Sequence, residues 1–131
     1  MEKPIKTISV AKAKEYQQKW KDTRALDIEK AQGYKDTREF WYSVDELQEY
    51  LDYVKQESAI QGVKHPGIRI YFAAYPQTSE KKSLATVFLA PTREKGGVEG
   101  VEELAEAANN ENNYQIDPLN NNNGLWPPLS Y

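Results

Sequence analysis

The segment from Gly67 to Tyr75 constrains the fold more than any other part of the chain, because its residues alternate with a period of two. Successive side chains of a β-strand point to opposite faces of a sheet, so this alternation predicts a strand with two distinct faces. One face is predicted to be a core face and consists of Ile68, Ile70, Phe72 and Ala74. The second face carries Arg69, Tyr71, Ala73 and Tyr75.

A second strand is predicted at residues 83–91, beyond Pro76 and a polar link. This segment is apolar on both sides, which indicates a strand whose two faces are both covered. Two neighbouring strands joined in this way most simply form an antiparallel hairpin. We therefore predict that residues 67–75 pair with residues 83–91 at the centre of a small mixed or antiparallel sheet.

Three helices and two weaker strands are predicted around this hairpin. Ser9 and Ser43 each precede an apolar stripe with helical spacing, and they are expected to cap helices at residues 10–21 and 44–58. A short acidic helix is predicted at residues 98–108, and strands are expected at residues 5–8 and 38–42. This order of elements predicts the α+β fold class.

A change in composition near residue 109 predicts where the domain ends. Residues 1–108 have the length and the pattern of one α+β domain. Residues 109–131 contain eight asparagines and end in a Trp126-Pro127-Pro128 segment, so they are interpreted as a low-complexity tail. The tail is expected to be extended and to pack on its own domain, and a groove beside Arg69 and Tyr71 is one candidate position for it.

The composition excludes several classes of protein. The chain has no cysteine and a single histidine, which excludes disulfide frameworks, thiolate metal sites and centres built from several histidines. We predict neither a metal site nor a cofactor. The longest uncharged apolar stretch is residues 83–92, and the first residues lack the apolar region of a signal peptide. We therefore predict a cytoplasmic protein without a membrane-spanning segment.

The charge distribution is uneven along the chain, whose net charge is -3. Residues 1–38 carry a net charge of +4 and the remainder carries -7. An acidic chain disfavours nucleic acid as the main partner, but weak nucleic-acid binding through the basic first helix is kept as an alternative. The simpler interpretation is that the basic part of the chain meets its own acidic part.

The second face of the predicted strand at residues 67–75 is the leading candidate for a binding surface. Arg69, Tyr71 and Tyr75 share this face, and Trp41 from a neighbouring strand could join them. Arginine, tyrosine and tryptophan dominate binding hot spots and stack on planar ligands. We predict a non-enzymatic binding module for a protein segment or a planar anionic ligand, with no catalytic residue. The alternatives are that this face is a second core layer or that a homodimer covers it.

A small enzyme that acts on a phosphorylated or carboxylated substrate is the main alternative function. His65 would be its proton-transfer group, because the pKa of histidine lies near neutrality. Arg38 or Arg69 would hold the anionic group of the substrate. His65 lies in a turn before the predicted strand without any catalytic motif around it, so a solvent-exposed turn residue is the simpler interpretation.

Three stretches of the chain resemble a group of small uncharacterised bacterial proteins. These stretches are residues 40–47, 67–76 and 86–92, and the resemblance extends over residues 5–92 and the Asn-rich, Pro-Pro ending. The resemblance implies a small bacterial cytosolic domain. It brings no activity, cofactor or catalytic residue with it.

Overall fold

The computed structural model describes residues 1–95 and 109–131 and shows an α+β fold, as predicted. The elements in chain order are α1 (Val10–Asp22), α2 (Arg24–Gln32), β1 (Phe40–Trp41), α3 (Val44–Ile60), β2 (Gly67–Ala74), β3 (Ala85–Glu94), β4 (Asn110–Asn112) and β5 (Asn123–Gly124). The helix predicted at residues 98–108 lies outside the described residues. Contacts divide the chain into one unit of residues 1–39 and 125–131 and another of residues 40–124.

The first unit contains α1 and α2. The hydroxyl oxygen of Ser9 accepts a hydrogen bond from the backbone amide of Lys12 at 3.1 Å, which confirms the predicted cap of α1. Helix α2 was not predicted, because its first residue follows Thr23, which provides no side-chain cap. The helix ends at Gly33, whose φ of 84° lies in the left-handed region that glycine adopts readily.

At the N-terminal end a predicted strand is absent, and at the C-terminal end the structure shows specific hydrogen bonds. The strand predicted at residues 5–8 is absent, because the Thr7 amide donates to the Pro4 carbonyl at 3.1 Å and forms a turn. In the C-terminal segment, the indole N–H of Trp126 donates to the Lys35 carbonyl at 2.5 Å. The Lys21 ammonium donates to the Ser130 hydroxyl at 2.6 Å. These bonds join residues 125–131 to the first unit.

The second unit contains a three-stranded antiparallel sheet in the order β2-β3-β4. The register of β2 on β3 runs from Gly67 opposite Thr92 to Ala74 opposite Ala85, which confirms the predicted hairpin. A separate short sheet pairs β1 with β5. Helix α3 joins β1 to β2, and the Ser43 hydroxyl caps it by accepting from the Glu46 amide at 3.0 Å, as predicted.

The core of this unit lies over the central strand β3, where Val87, Leu89 and Ala90 are buried. The prediction that β3 is covered on both faces is confirmed, because Thr86 and Val87 are buried on opposite faces. The predicted core face of β2 is wrong for Ile70 and Phe72, which are 65% and 82% exposed, and for Ala74, which is also exposed. In the described part of the chain β2 is an outer strand of the sheet, and the described residues leave its Ile70 and Phe72 side chains largely exposed.

The asparagine-rich segment belongs to the sheet rather than forming a tail. The side-chain amides of Asn120 and Asn122 both donate to the Val87 carbonyl of β3, at 2.8 and 3.2 Å. The backbone of Leu119 exchanges two hydrogen bonds with Leu89 next to them. Backbone groups of β4 and Leu119 bond to one stretch of this edge of β3. The side-chain amides of Asn120 and Asn122 bond to the stretch that follows.

None of the helices within residues 1–95 and 109–131 combines the length and the apolar character that crossing a membrane requires.

Candidate functional site

A cleft of about 340 Å³ lies in the second unit, on the face of the sheet that carries Tyr71. The ring of Tyr71 stacks on Phe88, which faces it across the register of β2 and β3, with ring centroids 5.1 Å apart and planes inclined by 21°. Tyr114 stands at the rim with 90% of its surface exposed. The remaining lining is mostly apolar and includes Ala90, Pro91, Ile116 and Pro118, together with Asn112 and Asp117. The cleft therefore offers aromatic surface with few polar groups.

A polar network on the same face joins Arg69, Tyr71 and β4. The Arg69 guanidinium donates to the side-chain oxygen of Asn112 at 2.8 Å and to the Asn110 carbonyl at 3.1 Å. The amide nitrogen of Asn112 donates to the Tyr71 hydroxyl at 2.8 Å and to the Tyr114 hydroxyl at 3.4 Å. Asn112 thus fixes the positions of two tyrosines that line the cleft.

This network changes the acidity of Tyr71. The hydrogen bond from Asn112, and secondly the one from Arg69, lower the pKa of the Tyr71 hydroxyl below its usual value. Both bonds are donated to the tyrosine oxygen and therefore favour its ionised form. In the neutral form the oxygen accepts these bonds and its own proton remains for an outside acceptor. Tyr71 is therefore suited to donate a hydrogen bond to a carbonyl group of a ligand.

The opposite wall of the cleft, residues 113–118, is held by α3. The side-chain amide of Asn113, which is buried, donates to the side-chain oxygen of Gln61 at 2.7 Å. The Tyr50 hydroxyl donates to the Asp117 carbonyl at 2.8 Å. Ile116, which lies between Asn113 and Asp117 in the sequence, is buried. The wall is therefore positioned by hydrogen bonds at both ends and by an apolar anchor.

Burial also marks Tyr50 as part of the support of the cleft. Loss of hydration raises the pKa of its hydroxyl from 10.0 to about 12. The neutral hydroxyl is the form that donates to the Asp117 carbonyl. Tyr50 therefore keeps this contact well above neutral pH.

Two predicted site residues of this unit lie apart from the cleft lining. The Tyr75 hydroxyl donates to the side-chain oxygen of Asn120 at 3.0 Å and accepts from Thr86 at 3.2 Å, so its polar end is used within the fold. Trp41 is exposed in β1, where it pairs with Asn123 of β5. The predicted platform is thus reduced to Arg69 and Tyr71, of which Tyr71 lines the cleft.

His65 and Arg69, two of the three residues of the enzymatic alternative, do not line the Tyr71 cleft. The His65 backbone amide donates to Glu94 at 3.2 Å, and the Lys64 amide donates to the same carboxylate at 2.9 Å. These bonds fix the turn and lower the pKa of Glu94, chiefly through the Lys64 amide. Arg38, the other candidate for holding the anionic group, belongs to the first unit.

The wall residues of the cleft were not predicted from the sequence. The segment interpreted as a low-complexity tail contains all of them, namely Asn112, Asn113, Tyr114, Ile116 and Asp117. The signal that could have identified them is the short apolar and aromatic pattern of Tyr114 and Ile116 within the asparagines. Asparagine is common in loops, and its side-chain role in a sheet depends on contacts between residues that are distant in sequence.

No cluster of three or more histidine, aspartate or glutamate side chains in residues 1–95 and 109–131 is arranged to hold a metal ion. Comparison with protein-family models, with curated proteins and with solved structures finds no match to this chain.

Proposed function

We propose that this protein is a non-enzymatic binding module whose Tyr71 cleft takes an extended, proline-bearing segment of a partner protein. The observation that carries the proposal is the stacked pair of Tyr71 and Phe88 beside the exposed Tyr114 in a cleft of about 340 Å³. Grooves lined by aromatic rings capture proline-rich segments because the polyproline conformation is already extended and loses little entropy on binding.

The polar groups at the cleft fit the backbone of such a segment. Its carbonyl oxygens have no amide partners of their own in a polyproline helix and remain available as acceptors. The Tyr71 hydroxyl, which accepts from Asn112, still has a proton to donate to one of them. Tyr114 offers a second hydroxyl at the rim. The rings would provide the contact area and the hydroxyls would fix the direction of the segment.

Charge favours a protein segment over the planar anionic ligand. Two guanidinium nitrogens of Arg69 donate to Asn112 and to the Asn110 carbonyl, and Arg69 itself does not line the cleft. The carboxylate of Asp117 belongs to a residue that does line it. A carboxylate repels an anion and attracts a cation, so a basic residue next to the prolines is the favoured composition.

The experiment is a titration followed by NMR spectroscopy of the full chain. The probe is an acetylated and amidated peptide of four prolines followed by arginine, and phenyl phosphate represents the planar anion. The proposal expects the peptide to shift the ring resonances of Tyr71 and Tyr114 and the side-chain amide of Asn112, with no comparable change from phenyl phosphate. Stronger shifts of these resonances with phenyl phosphate, or no shift with either probe, would overturn the proposal.

A further inference from the structure

A second cleft, of about 420 Å³, lies within the unit of residues 1–39 and 125–131 and takes no part in the proposed function. Residues of α1 and α2 form one side, including Trp20, Leu26 and Ile28. Pro128 and Ser130 of the C-terminal segment also line it. Its lining contains three basic side chains, those of Lys21, Lys35 and Arg38.

Arg38 carries the main observation. Its Nε atom is buried, and it has no hydrogen-bond partner among the described residues. A buried donor without an acceptor is unfavourable, and it is more so for a charged group. A guanidinium group presents paired donors that match a phosphate or a carboxylate. An anionic ligand would therefore supply the acceptor that the Nε atom of Arg38 lacks among the described residues.

The charges around Arg38 support an anion. In the part of the chain that the structure describes, none of the three basic side chains makes an ion pair, and the Lys21 ammonium donates to the neutral Ser130 hydroxyl. Two carboxylates, Glu29 and Asp36, also line the cleft. Asp36 accepts from the backbone amide of Thr37 at 2.9 Å. The lining therefore retains an excess of one positive charge.

We propose that this cleft binds a small organic anion that carries a phosphate or a carboxylate group. Arg38 would hold the anionic group, with Lys21 and Lys35 adding positive potential. The indole of Trp20 and the aliphatic side chains of Leu26 and Ile28 would contact the organic part of the ligand. All residues of this site belong to the first unit, so this proposal can be tested independently of the proposal for the Tyr71 cleft.

The test uses phenyl phosphate and benzoate as probes at constant ionic strength, with the indole N–H resonances of the three tryptophans as reporters. Trp20 lines the cleft and Trp126 is bonded to Lys35, whereas Trp41 belongs to the second unit. We expect saturable shifts of the Trp20 and Trp126 resonances with at least one probe and an unchanged Trp41 resonance. The absence of saturable shifts with both probes would overturn the proposal.

Variants then identify the anion-binding group. Arg38→Gln is expected to weaken probe binding by about tenfold or more, since bonds to charged groups are the strong ones. Arg24→Gln is the matched control, because it removes the same charge from the same unit without being part of the lining. Equal affinity of Arg38→Gln and the parent protein, or equal loss in both variants, would contradict the assignment.

A further variant keeps the test valid if Arg38→Gln does not fold. Lys35 lines the cleft, and its side chain is exposed and makes no hydrogen bond or ion pair among the described residues. Lys35→Gln should therefore fold and should weaken probe binding by about twofold to fivefold through lost positive potential. Unchanged affinity in Lys35→Gln, with Arg38→Gln unfolded, would count against the site.

Discussion

The side-chain amide of Asn112 donates a hydrogen bond to the hydroxyl of Tyr71 at 2.8 Å. Asn112 belongs to β4 and Tyr71 to β2, and these strands lie on opposite sides of β3. The bond therefore spans the central strand and ties an aromatic ring of the cleft to the asparagine-rich segment. This contact makes the acidity of Tyr71 a direct measure of whether the cleft is assembled as described.

Asn112→Ala is expected to raise the pKa of Tyr71 towards its usual value, because it removes the main cause of the lowering. The measurement is a pH titration of the Tyr71 ring carbon signals by NMR. Asn121→Ala is the control, since Asn121 is exposed in the same segment. An unchanged pKa of Tyr71 in Asn112→Ala would show that the bond does not form in solution.

Asn120→Ala is expected to lower the free energy of unfolding by about 1–3 kcal/mol, because it removes its hydrogen bonds to β3 and leaves Asn122, among the described residues, as the one remaining side-chain amide donor to the Val87 carbonyl. The Asn120 side chain donates to the Val87 carbonyl at 2.8 Å and to the Thr86 hydroxyl at 3.2 Å. Urea unfolding measures the change. Asn121→Ala again provides the comparison, with an expected effect below about 0.5 kcal/mol. Similar stability of the two variants would refute the structural role of Asn120.

Gly67→Ala is expected to destabilise the protein by about 1–3 kcal/mol through overpacking. A Cβ atom at Gly67 would lie 2.7 Å from the Oγ1 atom of Thr92, which faces it in the register of β2 and β3. Thr92 is buried, so its side chain has little room to move. Thermal unfolding of Gly67→Ala, Thr92→Ala and the double variant measures the coupling. The double variant should be more stable than the sum of the two single effects implies, and strict additivity would contradict the contact.

Tyr50 is expected to make stability depend on pH in the alkaline range. Its pKa is raised from 10.0 to about 12 in the folded protein, so its contribution is fully present below pH 10 and is lost as the pH rises towards 12. Tyr50→Phe removes this titration and should flatten that part of the stability curve. Urea unfolding at a series of alkaline pH values compares the two proteins. Parallel curves for parent and variant would rule out a raised pKa at Tyr50.

Local patterns predicted the parts of the fold that depend on local chemistry. The caps at Ser9 and Ser43 and the hairpin of β2 with β3 follow from residues that are close in sequence. Helix α2 was missed because Thr23 gives it no side-chain cap. The face of β2 was misassigned because alternation shows that a strand has two faces without showing which of them is covered.

Only part of the cleft lining could be predicted from the sequence. Tyr71, which lines the cleft, was identified together with Arg69 from their alternation on β2, but the wall of residues 113–118 was assigned to a tail. That wall depends on contacts such as Asn113 with Gln61 and Tyr50 with the Asp117 carbonyl, which join residues far apart in the chain. An asparagine-rich composition is typical of a loop or tail. It does not show with which sheet edges the asparagine side-chain amides will form hydrogen bonds.

The most direct test of the proposed function is the affinity of the proline peptide for three forms of the full chain, measured by isothermal titration calorimetry. Tyr71→Ala removes a ring from the cleft and is expected to raise Kd by about tenfold or more. Tyr16→Ala removes an exposed tyrosine of α1 and is expected to leave Kd unchanged. Binding of the peptide by folded Tyr71→Ala with the Kd of the parent protein would contradict the account.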